Sequence, residues 1–312
     1  MNISPKVVTI LGSGVWGSAL GAIARENQHH VRFWSRRSFQ TLVSLMEDAS
    51  LAVSAVSMKG VVPTIEKLRS LDIPKDLILV TATKGLDPQT MQTPSQIWQQ
   101  AFPQNPVVVL SGPNLSAEIA QKLPAATVVA SKNLDAAKIV QEILSNDAFR
   151  VYINHDPIGT ELGGTLKNIM AIASGVSDGM QLGTNAKAAL LTRALPEIVR
   201  VGTHLGASKE TFFGLSGLGD LIATCDSPLS RNYRVGYGLA LGKTLAEILT
   251  ELEGTAEGIN TTEVLIKIAD RQEISVPITR QVHRLLTGKI TPEEAIHALM
   301  ARDLKPEFCD LD

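Results

Sequence analysis

Residues 7–24 read VVTILGSGVWGSALGAIA, an apolar run of strand character that leads through Gly12, Gly14 and Gly17 into a helix-like run. A glycine inside a helix costs roughly 1 kcal/mol relative to alanine, so three of them need a physical reason. The G-x-G-x-x-G spacing is weak alone but specific directly after a strand and at the start of a helix. There the first glycine permits a tight turn, the second lets the backbone approach a dinucleotide pyrophosphate, and the third lets the helix pack on the strand. The stretch predicts a dinucleotide-binding turn; the alternative is a tight turn without a ligand.

The first half of the chain alternates between strand-like and helix-like segments. Runs that are β-rich and apolar on both faces, with a last strand and turn, lie at 7–11, 31–35, 51–57, 77–83, 107–112, 126–131 and 149–159. Helix-like runs lie between them, at 17–28, 59–70, 94–101 and 134–146. This alternation predicts an α/β fold whose N-terminal domain, residues 1–155, is a Rossmann-like, doubly wound, mostly parallel sheet. From residue 156 the spacing becomes helical throughout, which predicts an all-α C-terminal domain over 156–312.

Composition limits the class of protein. The 312 residues, 44% of them hydrophobic, are enough for two domains, and 29 Lys and Arg against 31 Asp and Glu give a net charge of −2. This balance predicts no nucleic-acid partner, and no apolar run reaches the ~20 residues that span a bilayer, so no membrane insertion is expected. The start of the chain does not look like a signal peptide, and Cys225 and Cys309 are expected as free thiols. We expect a soluble cytoplasmic protein without a metal site.

Two arginines follow the second predicted strand, where the dinucleotide fingerprint usually has an acidic residue for the ribose 2′-hydroxyl. Arg36 and Arg37 in FWSRRS could instead pair with a 2′-phosphate, since guanidinium groups bind phosphate in a bidentate manner. The sequence therefore predicts NADPH as the preferred cofactor, with NADH possible. The alternative is that one or both arginines are solvated turn residues.

Polar residues that could serve hydride transfer follow strands or interrupt an apolar helix. Lys84 in TATKGL and the Gly112–Asn114 turn in VLSGPN follow neighbouring strands, at the sheet edge where ligands bind. Lys167 and Asn168 lie in the helix-like run ELGGTLKNIMAIASG, on a stripe with several small residues that would leave room for a ligand. A lysine there could donate a proton to a forming alkoxide. Taken alone, Lys84 is as easily a surface charge and Lys167 a lysine at a helix edge.

A glycine-rich stretch, GLSGLGDLIATCDSPLSRN, leads into a further helix. Ser230 is the expected N-cap, which places Arg231 and Asn232 in the first turn, where free N–H groups and the helix dipole favour an anion such as a substrate phosphate. Asp220 in the same stretch could orient a lysine or accept a hydrogen bond from a substrate hydroxyl, although an aspartate in this context is often a turn former.

Together these stretches resemble the NAD(P)-dependent glycerol-3-phosphate dehydrogenases of bacterial type. In chain order, the resemblance is carried by GSGVWGSAL, TKGL, SGPN, ELGGTLKNIMAIASGVSDG, GLSGLGDLIATC, LSRN and AEGINT, which run through most of the chain. It implies two domains with the active site between them, and a homodimer. It further implies interconversion of dihydroxyacetone phosphate, a phosphorylated triose, and sn-glycerol 3-phosphate, which feeds glycerophospholipid synthesis.

The resemblance also implies a role for each matching residue. Lys167 matches the catalytic acid/base, Lys84 its partner at the substrate and cofactor, and a polar network orients Lys167 and the substrate. The network residues are Asp220, Thr224 and Asn168. The substrate-binding positions are Gly112, Asn114, Ser230, Arg231 and Asn232. The cofactor-contacting positions, with the three glycines, are Val15, Trp16, Arg36, Arg37, Lys84, Ser116, Arg231, Thr255 and Glu257.

The chain departs from most family members at three places. Segment 38–50 is shorter and lacks a strand and a loop, so a sheet one strand smaller and a more open adenosine side are expected. AVSMKG stands where a proline often follows the valine, and Asn114 where serine or threonine is common. Two other functions remain open at this point: a related 3-hydroxyacid or 6-phosphogluconate-type dehydrogenase, and a catalytically silent NADP-binding redox sensor.

Overall fold

The computed structural model describes residues 4–38, 41–252, 254–304 and 306–307. The chain forms two compact units, the first of residues 1–87 and 92–161 and the second of residues 88–91 and 162–312. The division thus falls inside a helix, after Glu161, while the functional boundary after residue 155 stays a prediction. Cys309, expected as a free thiol, lies outside the described residues.

The first unit is built on a seven-stranded sheet in the order β2-β1-β3-β4-β5-β6-β7. Its strands are β1 (Val7–Leu11), β2 (His30–Trp34), β3 (Leu51–Ser54), β4 (Ile78–Thr81), β5 (Val107–Ser111), β6 (Ala125–Ala130) and β7 (Phe149–Asn154). Every neighbouring pair is parallel except β5 and β6. The predicted mostly parallel sheet is therefore confirmed, with a strand at each predicted place.

Among the described strands, the antiparallel pairing joins β5 and β6. The connection between these two strands contains the five-residue helix α5 (Ser116–Ala120). The chain enters β6 from the end of the sheet at which it leaves β5.

Helices cover both faces of this sheet. They are α1 (Val15–Glu26), α2 (Leu42–Met46), α3 (Met58–Arg69), α4 (Pro94–Ala101), α5 and α6 (Leu134–Leu144). Alternate strand residues point to opposite faces, so Val8 and Ile10 pack with α1, α5 and α6, while Leu11 packs with α2, α3 and α4. This two-sided core is the doubly wound arrangement that the sequence predicts. The short helix α2 lies in segment 38–50, begins at the N-cap Thr41, and was not predicted.

The second unit is helical throughout its described residues. Its helices are α7 (Pro157–Gly179), which begins in the first unit, α8 (Gly183–His204), α9 (Asp220–Cys225), α10 (Arg231–Ala240), α11 (Leu245–Glu251), α12 (Glu257–Gln272), α13 (Pro277–Leu286) and α14 (Pro292–Met300). A 3-10 turn (Lys209–Phe213) and a π-helical turn (Leu215–Gly219) precede α9. The predicted all-α C-terminal domain is confirmed.

Candidate active site

The three glycines of the opening motif each have a distinct structural reason. Gly12 has φ +116°, and a Cβ there would lie 2.7 Å from the carbonyl oxygen of Ala55. A Cβ at Gly17 would overlap the carbonyl oxygen of Gly12, so only glycine lets α1 start this close to β1. Gly14 is the N-cap of α1, and nothing lies within 4 Å of the place its Cβ would take. An open, side-chain-free helix N-terminus of this kind fits a pyrophosphate.

The other residues of the first unit that are predicted to contact the cofactor lie in several separate segments. Val15 is exposed in the first turn of α1, and Trp16 is half-buried against the core. Arg36 and Arg37 are both exposed, in a turn directly after β2. Because the Gly12 N–H donates to the carbonyl of Trp34 at 2.8 Å, the glycine loop and the end of β2 lie side by side. Ser116, the first residue of α5, is half-buried.

The predicted substrate residues of the first unit come together after β4 and β5. Lys84 Nζ donates to the carbonyl oxygen of Gly112 at 3.1 Å. The Asn114 amide donates to Thr127 Oγ1 at 2.9 Å, while Asn114 Oδ1 is buried and has no hydrogen-bond partner among the residues that the structure describes. A buried acceptor without a partner costs free energy, so this oxygen is suited to receive a donor from a ligand. Asn114 therefore fits a binding loop although serine or threonine is common in the family.

In the second unit, Lys167 forms a buried ion pair. Its Nζ donates to Asp220 Oδ1 at 2.5 Å and to Thr224 Oγ1, and the Thr224 hydroxyl lies 3.2 Å from the same carboxylate oxygen. Lys167 is 6% exposed and Asp220 is 1% exposed. Burying charges is costly unless they are paired and hydrogen-bonded, and such an arrangement is typical of functional sites. Lys167 is thus a core side chain rather than a lysine at a helix edge.

Glycines allow a close approach between α7 and the π-helical turn that leads into Asp220, the first residue of α9. A Cβ at Gly163, one turn before Lys167, would lie 2.6 Å from the carbonyl oxygen of Ser216 in the π-helical turn, and a Cβ at Gly217 would overlap the 3-10 turn. At the other end, Ser174 Oγ donates to the carbonyl of Cys225 at 2.8 Å. The glycine-rich GLSGLGDL stretch is therefore a close backbone contact that directs Asp220 at Lys167. π-Helical turns are rare and frequent at functional sites.

The helix α10 begins as predicted, at the N-cap Ser230, whose side chain accepts from the Tyr233 N–H at 3.2 Å. Arg231 is exposed, whereas Asn232 is buried. Asn232 Nδ2 donates to Asn168 Oδ1 at 2.9 Å, and Asn232 Oδ1 accepts from the Gly258 N–H at 2.9 Å. Asn168 therefore joins α7 to α10.

The same contact brings the start of α12 to α7 and α10. A Cβ at Gly258 would lie 2.7 Å from the carbonyl oxygen of Asn168 and 2.8 Å from Asn232 Oδ1. Thr255 is exposed just before α12, and Glu257 is half-buried in its first turn. The AEGINT stretch thus lies beside the Ser230–Asn232 turn.

Several titratable groups were not singled out from the sequence, among them Glu161, Glu197 and the residues around Lys187. Glu161 in ELGG is buried and accepts from the Ser95 N–H at 3.0 Å and from Ser95 Oγ at 2.5 Å. Burial raises its pKa to about 7, although hydrogen bonds from Ser95 and Thr93 act in the opposite direction. Around Lys187, one ammonium group pairs with the carboxylates of Asp178 and Asp226. The position of Glu161 in an otherwise apolar helix is a sequence signal for a special role, but its partner Ser95 is distant in sequence.

A separate cavity of about 540 Å³ lies in the second unit between α7, α8, α13 and α14. Its lining contains none of the residues predicted for the site. Among the described residues, no three His, Cys, Asp or Glu side chains are grouped so as to hold a metal ion. Within the same residues, none of the helices combines the length and the apolar character needed to cross a bilayer.

The fold and these side chains define a class: a Rossmann-like oxidoreductase with a helical second unit that carries a buried lysine. The chain belongs to the NAD-dependent glycerol-3-phosphate dehydrogenase family. The model of the family's N-terminal domain matches residues 7–43 and 39–137, and that of its C-terminal domain matches residues 156–297. The two N-terminal matches meet in the segment that is expected to be short. The resemblance inferred from the motifs is confirmed.

Individual relatives agree over the full chain. A glycerol-3-phosphate dehydrogenase [NAD(P)+] of Acaryochloris marina is 63% identical over 309 residues, 99% of this chain and 100% of that protein. One of Synechocystis is also 63% identical, over 99% of this chain and 98% of that protein. The crystal structure of glycerol-3-phosphate dehydrogenase from Coxiella burnetii is 34% identical with a TM-score of 0.91, covering 96% of this chain and 99% of that one.

Proposed function

We propose that the protein reduces dihydroxyacetone phosphate to sn-glycerol 3-phosphate, reversibly and with NAD(P)H, and so supplies the backbone of glycerophospholipids. The observation that carries the proposal is the buried arrangement of Lys167, Asp220 and Thr224, in a chain of this family. Other dehydrogenases of related fold have a different motif around the lysine. A silent redox sensor would not need the candidate catalytic side chains, all of which are present.

The residues present fit a nicotinamide dinucleotide, because Gly14 leaves the N-terminus of α1 open. The positions that would hold the dinucleotide are Gly12, Gly14, Val15, Trp16, Gly17, Arg36, Arg37, Lys84, Ser116, Arg231, Thr255 and Glu257. The reduced cofactor, when bound, supplies the hydride that reaches the substrate's carbonyl carbon. The exposed Arg36 and Arg37 favour NADPH, with NADH as a second cofactor.

Lys167 supplies the proton in this proposal. Its ammonium group donates a proton to the carbonyl oxygen while that oxygen gains negative charge, and the resulting amine takes up a proton from solvent before the next turnover. Asp220 and Thr224, which accept hydrogen bonds from the ammonium group, fix its position and its direction. In the oxidation direction the neutral amine accepts the proton from the 2-hydroxyl.

The remaining site residues bind the substrate. Ser230, Arg231 and Asn232 offer a cation, an amide and the first-turn N–H groups of α10 to the phosphate. Lys84, fixed at the carbonyl of Gly112, stabilises the negative charge that develops on the reacting oxygen. Asn114, whose Oδ1 lacks a partner, accepts from a substrate hydroxyl.

We also propose the functional organisation that the resemblance implies. Residues 1–155 bind the dinucleotide and residues 156–312 carry the substrate and proton-transfer groups. The protein acts as a homodimer in the cytoplasm, without nucleic-acid or membrane partners. Analytical ultracentrifugation of the purified protein tests the dimer, and a monomer at micromolar concentration would contradict it.

The direct test of the proposed function is spectrophotometric oxidation of NADPH by the purified protein. Dihydroxyacetone phosphate should be reduced, whereas 3-oxoacids should not, and sn-glycerol 3-phosphate should be oxidised in the reverse direction. Absence of turnover with dihydroxyacetone phosphate, together with tight NADPH binding, would favour the redox-sensor function instead.

A further inference from the structure

A second polar cluster of the second unit involves none of the residues assigned above. Lys187 Nζ lies 2.7 Å from Asp178 Oδ2 and 2.8 Å from Asp226 Oδ1, so one ammonium group joins two carboxylates. The Tyr233 hydroxyl donates to the same Asp178 oxygen at 2.7 Å, and the ammonium lies 5.7 Å from the centre of the Tyr233 ring. We call these four residues the Lys187 cluster.

Each member of the Lys187 cluster comes from a different part of the unit. Asp178 is near the end of α7, Lys187 is near the start of α8, Asp226 is the C-cap of α9, and Tyr233 is in the first turn of α10. The Lys187 side chain therefore connects α7, the helix that carries Lys167, with the end of α9 and with the start of α10. The helix α9 also carries Asp220.

Tyr233 links the cluster to the proposed phosphate-binding residues. Its N–H donates to the N-cap Ser230, and its carbonyl oxygen faces Gly175 of α7, where a Cβ would overlap it. Its hydroxyl is held by Asp178 on the same helix α7. The first turn of α10 is thus fixed at its backbone by a glycine contact and at its side chain by the Lys187 cluster.

The two ion pairs of the cluster differ in exposure. The side chain of Asp226 is 75% exposed, that of Lys187 is 17% exposed and that of Asp178 is 27% exposed. The pair with the exposed Asp226 contributes little to the free energy of folding, whereas the pair with Asp178 is mostly buried. The Lys187 ammonium nevertheless restricts the positions of α7 and of the end of α9 relative to each other, because it holds the carboxylates of Asp178 and Asp226 at fixed distances. Burial and the neighbouring Asp178 carboxylate raise the pKa of Tyr233 to about 12, which keeps its hydroxyl a donor.

We propose that Lys187 is a positioning residue, which acts through Asp226 and Tyr233 to hold the turn of Ser230, Arg231 and Asn232 in the geometry that binds the substrate phosphate. The inference rests on the proposed function. It predicts that the cluster governs affinity for the phosphate group and leaves the proton-transfer step unaffected, because Lys167 keeps its own contacts with Asp220 and Thr224. A purely structural role would change stability and all kinetic constants together.

The test compares Lys187→Met with Lys187→Arg, which keeps a cation between the carboxylates, and with Tyr233→Phe, which removes only the hydroxyl. Lys243→Met is the matched control, since Lys243 forms an exposed pair with Glu251 at 2.7 Å elsewhere in the same unit. For each full-length variant, kcat, KM for dihydroxyacetone phosphate, KM for NADPH and the competitive inhibition constant of inorganic phosphate are measured, with the unfolding temperature.

In Lys187→Met, we expect KM for dihydroxyacetone phosphate and the inhibition constant of phosphate to rise together by about tenfold, as for the loss of one charge-assisted contact. kcat should change less than twofold. KM for NADPH should rise less than KM for dihydroxyacetone phosphate, because most of the proposed cofactor contacts lie in the first unit. Lys187→Arg should restore most of the affinity, Tyr233→Phe should lie between, and Lys243→Met should match the wild type.

Unchanged phosphate inhibition in a folded Lys187→Met would overturn the proposal, as would a loss in kcat that parallels the loss in phosphate affinity. If Lys187→Met does not fold, Tyr233→Phe decides by the same criteria. Failure of the wild type to reduce dihydroxyacetone phosphate would instead overturn the proposed function, and this inference with it. The wild-type measurement therefore separates the two failures.

Discussion

Replacement of Lys167 by methionine tests the buried ion pair on which the proposed chemistry depends. Methionine is similar in length and apolar, so it fills the space but leaves the Asp220 carboxylate, 1% exposed, without its ammonium partner. Breaking a buried pair from one side typically costs about 3–5 kcal/mol. At roughly 2–4 °C per kcal/mol for a unit of this size, the unfolding temperature of the second unit should fall by about 10 °C.

The same variant should lose catalysis for a different reason. Loss of a general acid lowers kcat by roughly 100-fold to 10,000-fold, while binding of NADPH to the first unit should be retained. The double variant Lys167→Met/Asp220→Asn separates the two effects. With the unpaired charge removed it should regain most of the lost stability, yet remain as inactive as the single variant.

Differential scanning calorimetry and steady-state NADPH oxidation, on the same preparations, give the two readouts. The reasoning would be refuted if Lys167→Met kept wild-type turnover, or if it unfolded at the wild-type temperature. Recovery of activity in the double variant would show that Lys167 is not the proton donor. Fluorescence titration with NADPH is the control that the first unit is intact.

Three other predictions follow from the first unit. Gly14→Ala should leave the unfolding temperature unchanged, because its Cβ has space, and should raise KM for NADPH, because the Cβ stands where the pyrophosphate would approach. Gly17→Ala should lower the unfolding temperature, because its Cβ meets the Gly12 carbonyl. Equal effects of the two substitutions in thermal scans would contradict this reasoning. Arg36→Ser with Arg37→Ser should lower the ratio of kcat/KM for NADPH over NADH by about tenfold, and an unchanged ratio would identify them as solvated turn residues. The pKa of Glu161 is raised from 4.5 to about 7 in the folded protein, so the folded state holds this proton more tightly than the unfolded state does. The resulting contribution to the free energy of unfolding is complete below pH 4.5 and is lost as pH rises through 7, at about 1.4 kcal/mol per pKa unit. Stability of Glu161→Gln should therefore fall less between pH 4.5 and 7 in denaturant titrations, and a wild-type profile would refute the assignment.

The fold could be predicted because its signals are local. Strands buried on both faces are apolar throughout, and the spacing of Gly12, Gly14 and Gly17 reports a turn within one βα unit. The direction of β6 was not predictable in this way, since a run of apolar residues does not show which way a strand runs in the sheet. The short helix α2 was missed because it depends on the Thr41 cap rather than on a long periodic pattern.

The site was predictable where one motif contains both a residue and the reason for its position. Ser230 is an N-cap by its own sequence context, and it is one in the structure. The family resemblance names Asp220 and Thr224 as partners of Lys167. Ser95, the partner of Glu161, is distant in sequence, and only the fold brings these two residues together. Lys187 gave no signal for the same reason, because its two carboxylates come from other helices.

The glycine contact between α7 and α10 has a consequence for protein engineering. At Gly175 and Gly236 the two helices approach backbone to backbone, with no side chain between them to exchange for a larger or smaller one. Substitutions at this contact would separate the helices abruptly instead of adjusting them by degrees. Attempts to redesign the enzyme for longer or bulkier phosphorylated ketones should therefore leave both glycines intact and diversify the exposed Pro228 and Leu229, which lead into α10.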